Sequence, residues 1–293
     1  NTNQTSQVIG GTVFDIDVAT DGKIVVSGNI NASGRTEVAR LFSNGTLDTS
    51  FNPALPQTGD PTGLDVLVQP DGKVLISTDY QSGNEMMFRL NVDGSVDFSH
   101  SFNGNSRFVN RMVVQPDGKI LLGGNFNMID GFPINQGLAR LNADGMYDTT
   151  FNSGGSGPGS SVGDIELLAN GKILISGGFG SYNGVARQYF ALLNSDGTLD
   201  NSFNPTGSTL RSGDMAIQTD GKIVVGTYVE FFNEGLYPPI ARLNANGTVD
   251  SSIHPFMGSS GFVYKVLVQP DGRILLSGFW NHINSVFRRN LAR

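Results

Sequence analysis

The chain has 293 residues, a formal net charge of −7 and no cysteine, which excludes a disulfide scaffold, cysteine-ligated zinc and a thiol nucleophile. The acidic balance excludes a general nucleic-acid binder, which needs a basic stripe, and no run approaches the roughly 20 apolar residues of a spanning helix. Charged residues make up only 15% while glycine alone contributes 39, the balance of a fold dominated by tight turns.

The N-terminus, Asn1 to Thr5, is polar and starts without methionine, so it reads as a mature or excised start from which a signal peptide was removed. A short surplus, Thr2 to Val8, precedes the first repeat. From there one pattern fills the chain. Asp21-Gly22-Lys23 returns as Asp71-Gly72-Lys73, Asp117-Gly118-Lys119, Asn170-Gly171-Lys172, Asp220-Gly221-Lys222 and Asp271-Gly272-Arg273, every 46–53 residues. A period of that length filled with short apolar runs marks a radial or stacked repeat architecture.

The third repeat shows the elements most clearly. Phe108 to Val114 and Lys119 to Gly124 read as two strands, and Asp117-Gly118 between them reads as a hairpin turn with positive φ at both positions. Gln136 to Asn142 reads as a third strand, Asp144-Gly145 as a second turn and Met146 to Asp148 as a short fourth strand. No segment carries a helical apolar period. Three or four antiparallel strands per repeat, six times over, predict an all-β, six-bladed β-propeller occupying residues 1–293 as one domain. Thr2 to Val8 is expected to pair with the last blade and close the ring.

The recurring halves are Q-P-D-G-K-[IV]-[LV]-[LIV]-[GS]-G and A-R-L-N-x-[DN]-G-x-x-D-x-[ST]-F-N. On these residues the chain resembles the bacterial delta-60 repeat β-propeller family. Departures are local: Thr78 for glycine in repeat two, Leu192 for arginine in repeat four, Ile253 for phenylalanine in repeat five. The resemblance implies an exported or cell-surface bacterial protein and brings no catalytic residue with it.

In a propeller the two repeated turns share one face, so the variable loops share the other, where function tends to reside. Those loops are rich in aromatics. Phe179, Tyr182, Phe231, Phe232, Tyr237 and Trp280 are candidate partner-binding residues for a protein or glycan, or they cap the gaps between blades. Six residues before each first turn lies a polar slot: Asp15, Asp65, Arg111, Asp164, Asp214 and Lys265. It should open around the channel mouth as a candidate site for a small polar ligand or a hard cation. The alternative is structural, with these groups bonding backbone amides at the strand starts. The Lys or Arg of each first turn reads as a solvated strand flank.

His100, His254 and His282 are scattered and do not form a metal triad. No G-x-S-x-G elbow meets a helix. Paired carboxylates in the slot leave a glycosidase or lyase open. The leading expectation is a non-catalytic, secreted or surface scaffold without cofactor, metal or membrane insertion, and small-ligand or glycan binding is the alternative.

Overall fold

The computed structural model describes residues 10–31, 37–55, 62–79, 85–102, 108–205, 213–226, 231–232, 235–236, 240–252, 262–283 and 286–293. Among them every regular element is a strand. The N-terminal surplus, and with it the expected closing pair, lies outside the described residues. The chain divides into two compact units, residues 1–135 with 139–147, and residues 136–138 with 148–293.

In the first unit each repeat builds an antiparallel sheet in which the second strand lies between the first and third. The sheets run Gly10–Val18, Ile24–Asn31, Val38–Leu41, then Thr62–Val68, Val74–Asp79, Glu85–Leu90, then Phe108–Val114, Ile120–Asn125, Leu138–Leu141. The second unit repeats the order with Val162–Leu167, Ile173–Gly177, Phe190–Leu193, then Met215–Ile217, Ile223–Gly226, Ile240–Leu243, then Phe262–Val268, Ile274–Phe279, Leu291–Ala292. Among the described residues the fourth strand is full only in repeat two, as Val96–Phe102. Elsewhere among the described residues it shrinks to single bridges such as Leu41↔Leu47 and Leu193↔Leu199.

The first turn differs from the sequence expectation. Gly22 has φ 83° while Asp21 is not in the left-handed region. Gly22 N–H donates to Ala19 O at 2.9 Å, and the Asp21 carboxylate accepts from Lys23 N at 3.0 Å. This is the longer hairpin loop, a type I turn closed by a left-handed glycine, rather than a two-residue turn. True two-residue turns occur in a further short hairpin that the sequence reading took for loop. Asp130-Gly131 joins Met128–Ile129 to Phe132–Pro133, and Asn183-Gly184 joins Ser181–Tyr182 to Val185–Ala186. Both residues of each turn have positive φ.

Cores form between consecutive sheets within a unit, because alternate residues of each middle strand face opposite neighbours. Val25 and Val38 of repeat one pack on Val66, Val74 and Ile76 of repeat two. On the other side of repeat two, Leu75 and Met87 pack on Met112, Ile120 and Leu122. The second unit repeats this with Leu174 and Phe190 against Met215, Ile223 and Val225, and with Val224 and Ile240 against Val263, Val266 and Leu276.

The F-N ending adds a latch between neighbours. Phe51 is buried, and Asn52 N–H donates to Asp93 O at 2.9 Å in the next repeat's second turn. Asn152 and Asn204 donate likewise to Asp196 O and Asn246 O. A Cβ on Gly94 would sit 2.7 Å from the Asn52–Pro53 backbone. That approach, together with φ 91°, explains why the second turn keeps glycine.

Candidate functional site

In five of the six repeats the slot residue directly follows a β-bulge. The pairing register shifts between Val13 and Asp15, Gly63 and Asp65, Val109 and Arg111, Val162 and Asp164, and Val263 and Lys265. A bulge bends the strand and re-aims the side chain after it. In four repeats the slot side chain is an aspartate turned onto the following repeat, after a bulge at Asp15, Asp65 and Asp164. Asp15 accepts the Val66 amide at 2.9 Å, and Asp65 accepts Met112 N–H at 2.7 Å. In the second unit Asp164 accepts Met215 N–H at 2.8 Å and Asp214 accepts Val266 N–H at 2.6 Å. Asp17 adds the Val68 amide at 2.6 Å. The acceptor always serves the residue just after the next slot. The structure thus gives these aspartates the amide-bonding role that the sequence left as one of two alternatives.

The cations of the slot answer the aspartate before them. Arg111 Nη1 lies 3.9 Å from Asp65 Oδ1, and Lys265 Nζ lies 3.1 Å from Asp214 Oδ1. Burial raises the Asp214 carboxyl and the charge on Asp164 adds to it, while Lys265 and the Val266 amide pull it back. Serines on the middle strands complete the joint. Ser77 accepts from Asp65 N at 3.1 Å and donates to Val109 O at 3.2 Å, and Ser176 donates to Gly213 O at 3.1 Å.

A second charged node recurs at the second turn of repeats one, two, four and five. Arg40 Nε meets Asp48 at 2.8 Å, Nη1 donates to Val92 O at 2.8 Å, and the guanidinium lies 4.7 Å over the Phe51 ring. Arg89 and Arg242 pair with Asp97 and Asp250 in the same way. Three of the first-turn lysines are not solvated flanks: Lys73, Lys172 and Lys222 bond Asp97, Asp200 and Asp250. In repeat four, where Leu192 replaces the arginine, Lys172 is a cation that remains on Asp200. Lys23 and Arg273 instead turn back to their own Asp21 and Asp271.

This node makes stability acid-sensitive. Lys172, followed by the Ser202 amide, holds the Asp200 carboxyl down at about 2, below its ordinary 3.8. Lys222 and the Ser202 equivalent, Ser252, hold Asp250 lower still. A depressed carboxyl stabilises the fold above its unfolded value and loses that contribution as pH falls through the folded one. The urea midpoint should therefore hold above pH 4 and drop between pH 4 and 2. Asp200→Asn should flatten that limb, and an unchanged limb would remove Asp200 from the account.

A family described as a domain of unknown function (DUF5122), β-propeller, matches residues 19–51, 115–151, 168–203, 218–252 and 269–293. These segments make up more than half of the chain. The chain belongs to the DUF5122 β-propeller family. No curated protein matches it by sequence. Among solved structures it is similar to the extracellular domain of a protein titled a hybrid two component system from B. thetaiotaomicron, at 12% identity and TM-score 0.57, covering 96% of this chain and 32% of that one. The extracellular domain titled a one component system from the same organism gives 12% identity and TM-score 0.55, with coverage of 92% and 31%. Streptogramin B lyase gives 12% identity and TM-score 0.53, with coverage of 95% and 84%. At such identities the likeness is one of fold. The chain spans about a third of the two extracellular domains.

Between residues 52 and 114 no DUF5122 segment matches, and there repeat two departs physically. Its full strand Val96–Phe102 replaces the short ending, and Phe102 takes the buried place of Phe51. Arg89 now stacks over Phe98 at 4.3 Å. His100 is clamped between Asp130, at 2.6 Å from Nδ1, and Gly145 O, at 2.9 Å from Nε2.

The aromatics expected as partner contacts need correcting. Trp280 is only 1% exposed, and Phe179 and Tyr182 are fully buried. Trp280 packs with Val263, Val266 and Leu276, at the position that Phe126, Phe179 and Ile30 fill in other DUF5122 repeats. Tyr182 donates its hydroxyl to Gly197 O at 2.6 Å, and burial pushes its phenol up. These rings plug the joint between the short hairpin and its sheet, so they offer no surface. Phe231 and Phe232 form a strand of the corresponding hairpin, and Tyr237 lies outside the described residues.

What the hairpins do expose is the residue after the turn. Phe132 is 72% exposed, and Val185, Val286 and Phe287 are also open. For Phe132 and Val185 the signal in the sequence was the Asp130-Gly131 or Asn183-Gly184 just before them, while Val286 follows Asn284-Ser285. Among the described residues no group of three histidines or carboxylates is arranged to hold a metal ion, and no helix is long and apolar enough to cross a membrane.

Proposed function

We propose that the chain is a non-catalytic interaction and scaffold module of an exported or cell-surface bacterial protein, a six-bladed propeller of the delta-60 repeat kind. The observation that carries this is the fate of the slot aspartates. Asp15, Asp65, Asp164 and Asp214 each give one oxygen to a neighbouring repeat's amide, and the same tie made four times supports a structural role. Likeness to extracellular domains three times as long supports a module within a larger surface protein. The exposed hairpin residues Phe132, Val185 and Phe287 supply a rigidly mounted apolar contact for a protein or glycan partner.

Since one structural relative is a lyase, the test is enzymatic. The chain is incubated with glycosides, polyuronates, lactones and streptogramin B, and products are followed by mass spectrometry. No turnover is expected, while Asp164→Asn lowers the melting temperature. Turnover that disappears in Asp65→Asn or Asp164→Asn, with folding intact, would overturn the proposal.

A further inference from the structure

At the turn end of the first two sheets, within the first unit, lies a cleft of about 240 Å³. Repeat one contributes Ala19, Lys23 and Arg40 to it, and repeat two contributes Gln69. One small residue accounts for the space. Ala19 N–H donates to Lys23 O as the amides of Gln69, Gln115, Leu168, Gln218 and Gln269 donate at their own turns, so alanine stands where the other repeats carry glutamine or leucine. In repeats three and five that glutamine lies on the repeat's own arginine: Arg140 Nη1 donates to Gln115 Oε1 and Arg242 Nη1 to Gln218 Oε1, both at 3.4 Å. Ala19 has no side chain to do the same, and Arg40 lines the open space instead.

Two further features equip the cleft for a ligand. Gln69 is 8% exposed, and its Oε1 has no hydrogen-bond partner. A buried acceptor left unmet is costly, and a donor brought in from outside removes the cost. Lys23, for its part, does not make the bond to the second-turn aspartate that Lys73, Lys172 and Lys222 make. It turns back to Asp21 at 2.8 Å, which sets an ammonium and a carboxylate side by side, 29% and 53% exposed.

We propose that this cleft binds a single ring of a neutral sugar. Its volume lies below the roughly 300 Å³ at which pockets for drug-sized molecules begin, so the occupant is small. Its charges balance, Asp21 and Asp71 against Lys23 and Arg40, so neither an anion nor a cation has the advantage over an uncharged molecule. Sugar hydroxyls both donate and accept. They can donate to Gln69 Oε1 and to Asp21 and accept from Lys23, while the C–H face of the ring lies on Val25, Val74 and Val92. Within a repeat the first turn and the short hairpin lie at opposite ends of the second strand, as around Ile120–Asn125. This site is therefore separate from the exposed hairpin residues, and it gives the conserved-looking turn side a function of its own in one repeat pair.

The test is saturation-transfer NMR and calorimetry on the whole chain with D-glucose, D-galactose, D-mannose and N-acetyl-D-glucosamine. At least one of these is expected to bind in the millimolar range, and the charged counterparts glucuronate and glucosamine to bind no better. Ala19→Gln restores the side chain of the other repeats, so it should keep the fold and abolish binding. If it fails to fold by circular dichroism, Ala19→Leu, with the residue type of repeat four, takes its place with the same expectation. Gln69→Leu should weaken binding about tenfold, the loss of one buried acceptor. Absence of binding by all four sugars at tens of millimolar overturns the proposal. So does binding that survives the filled cleft with the fold intact, and so does a preference for either charged counterpart.

Discussion

Arg40→Leu is expected to destabilise the fold by about 3–5 kcal/mol, the cost of leaving a buried ion without its partner. Arg40 is 5% and Asp48 only 1% exposed, and the guanidinium also holds Val92 O and covers Phe51. Repeat four contains the substitution already, as Leu192, and there Lys172 meets the aspartate. Lys23 in repeat one is occupied with Asp21 at the surface but can turn onto Asp48 as Lys73, Lys172 and Lys222 turn onto their aspartates. Lys23→Met alone should therefore cost under about 1 kcal/mol, as an exposed pair does. Combined with Arg40→Leu it should cost clearly more than the sum, which a double-mutant cycle on urea midpoints reads directly. Strict additivity would mean that Lys23 gives no rescue, and that repeat four owes its stability to something else.

Asp65→Ala should cost about 2–3 kcal/mol, because it removes a charge-assisted bond and leaves the Met112 amide buried without an acceptor. Asp65→Asn keeps an oxygen in place, so it should lose only about 1 kcal/mol. Asp15→Ala, at the more open first repeat, is expected to fall between them. If the alanine and asparagine variants were equally stable, the carboxylate would be needed for something other than the amide at 2.7 Å. The ligand reading of the slot would then regain its force.

The repeat itself was fully legible, and for a physical reason. Many motif elements contact the neighbouring repeat, so duplication had to preserve them. The F-N ending reaches the next second turn, Arg40 and Arg89 reach the next repeat's carbonyls, and the slot aspartates reach the next first strand. The slot could be located by counting back from the turn, but its role could not be read, since an aspartate ready for a ligand and one bonded to an amide look alike in sequence. Side-chain direction was the main loss. Phe179, Tyr182 and Trp280 sit in segments that look like loops, and only the short hairpins built on Asp130-Gly131 and Asn183-Gly184 reveal which residue of each segment points inward. The lysines failed for a similar reason: Lys172 and Asp200 are 28 residues apart, and nothing local joins them.

The bulge in the first strands has a consequence of its own. The residue inside it, between the two that change register, is Phe14 in repeat one, Asn110 in repeat three, Gly163 in repeat four and Tyr264 in repeat six, and each is exposed. An aromatic ring, an amide, a bare backbone and a phenol are accepted at one geometric address because the residues on either side carry the folding burden. Such positions form a keyboard: the frame under each key is fixed, and the letter on it can be changed singly. A library randomised at these positions would vary what the protein displays while leaving the amide ties, the turns and the cores as they are.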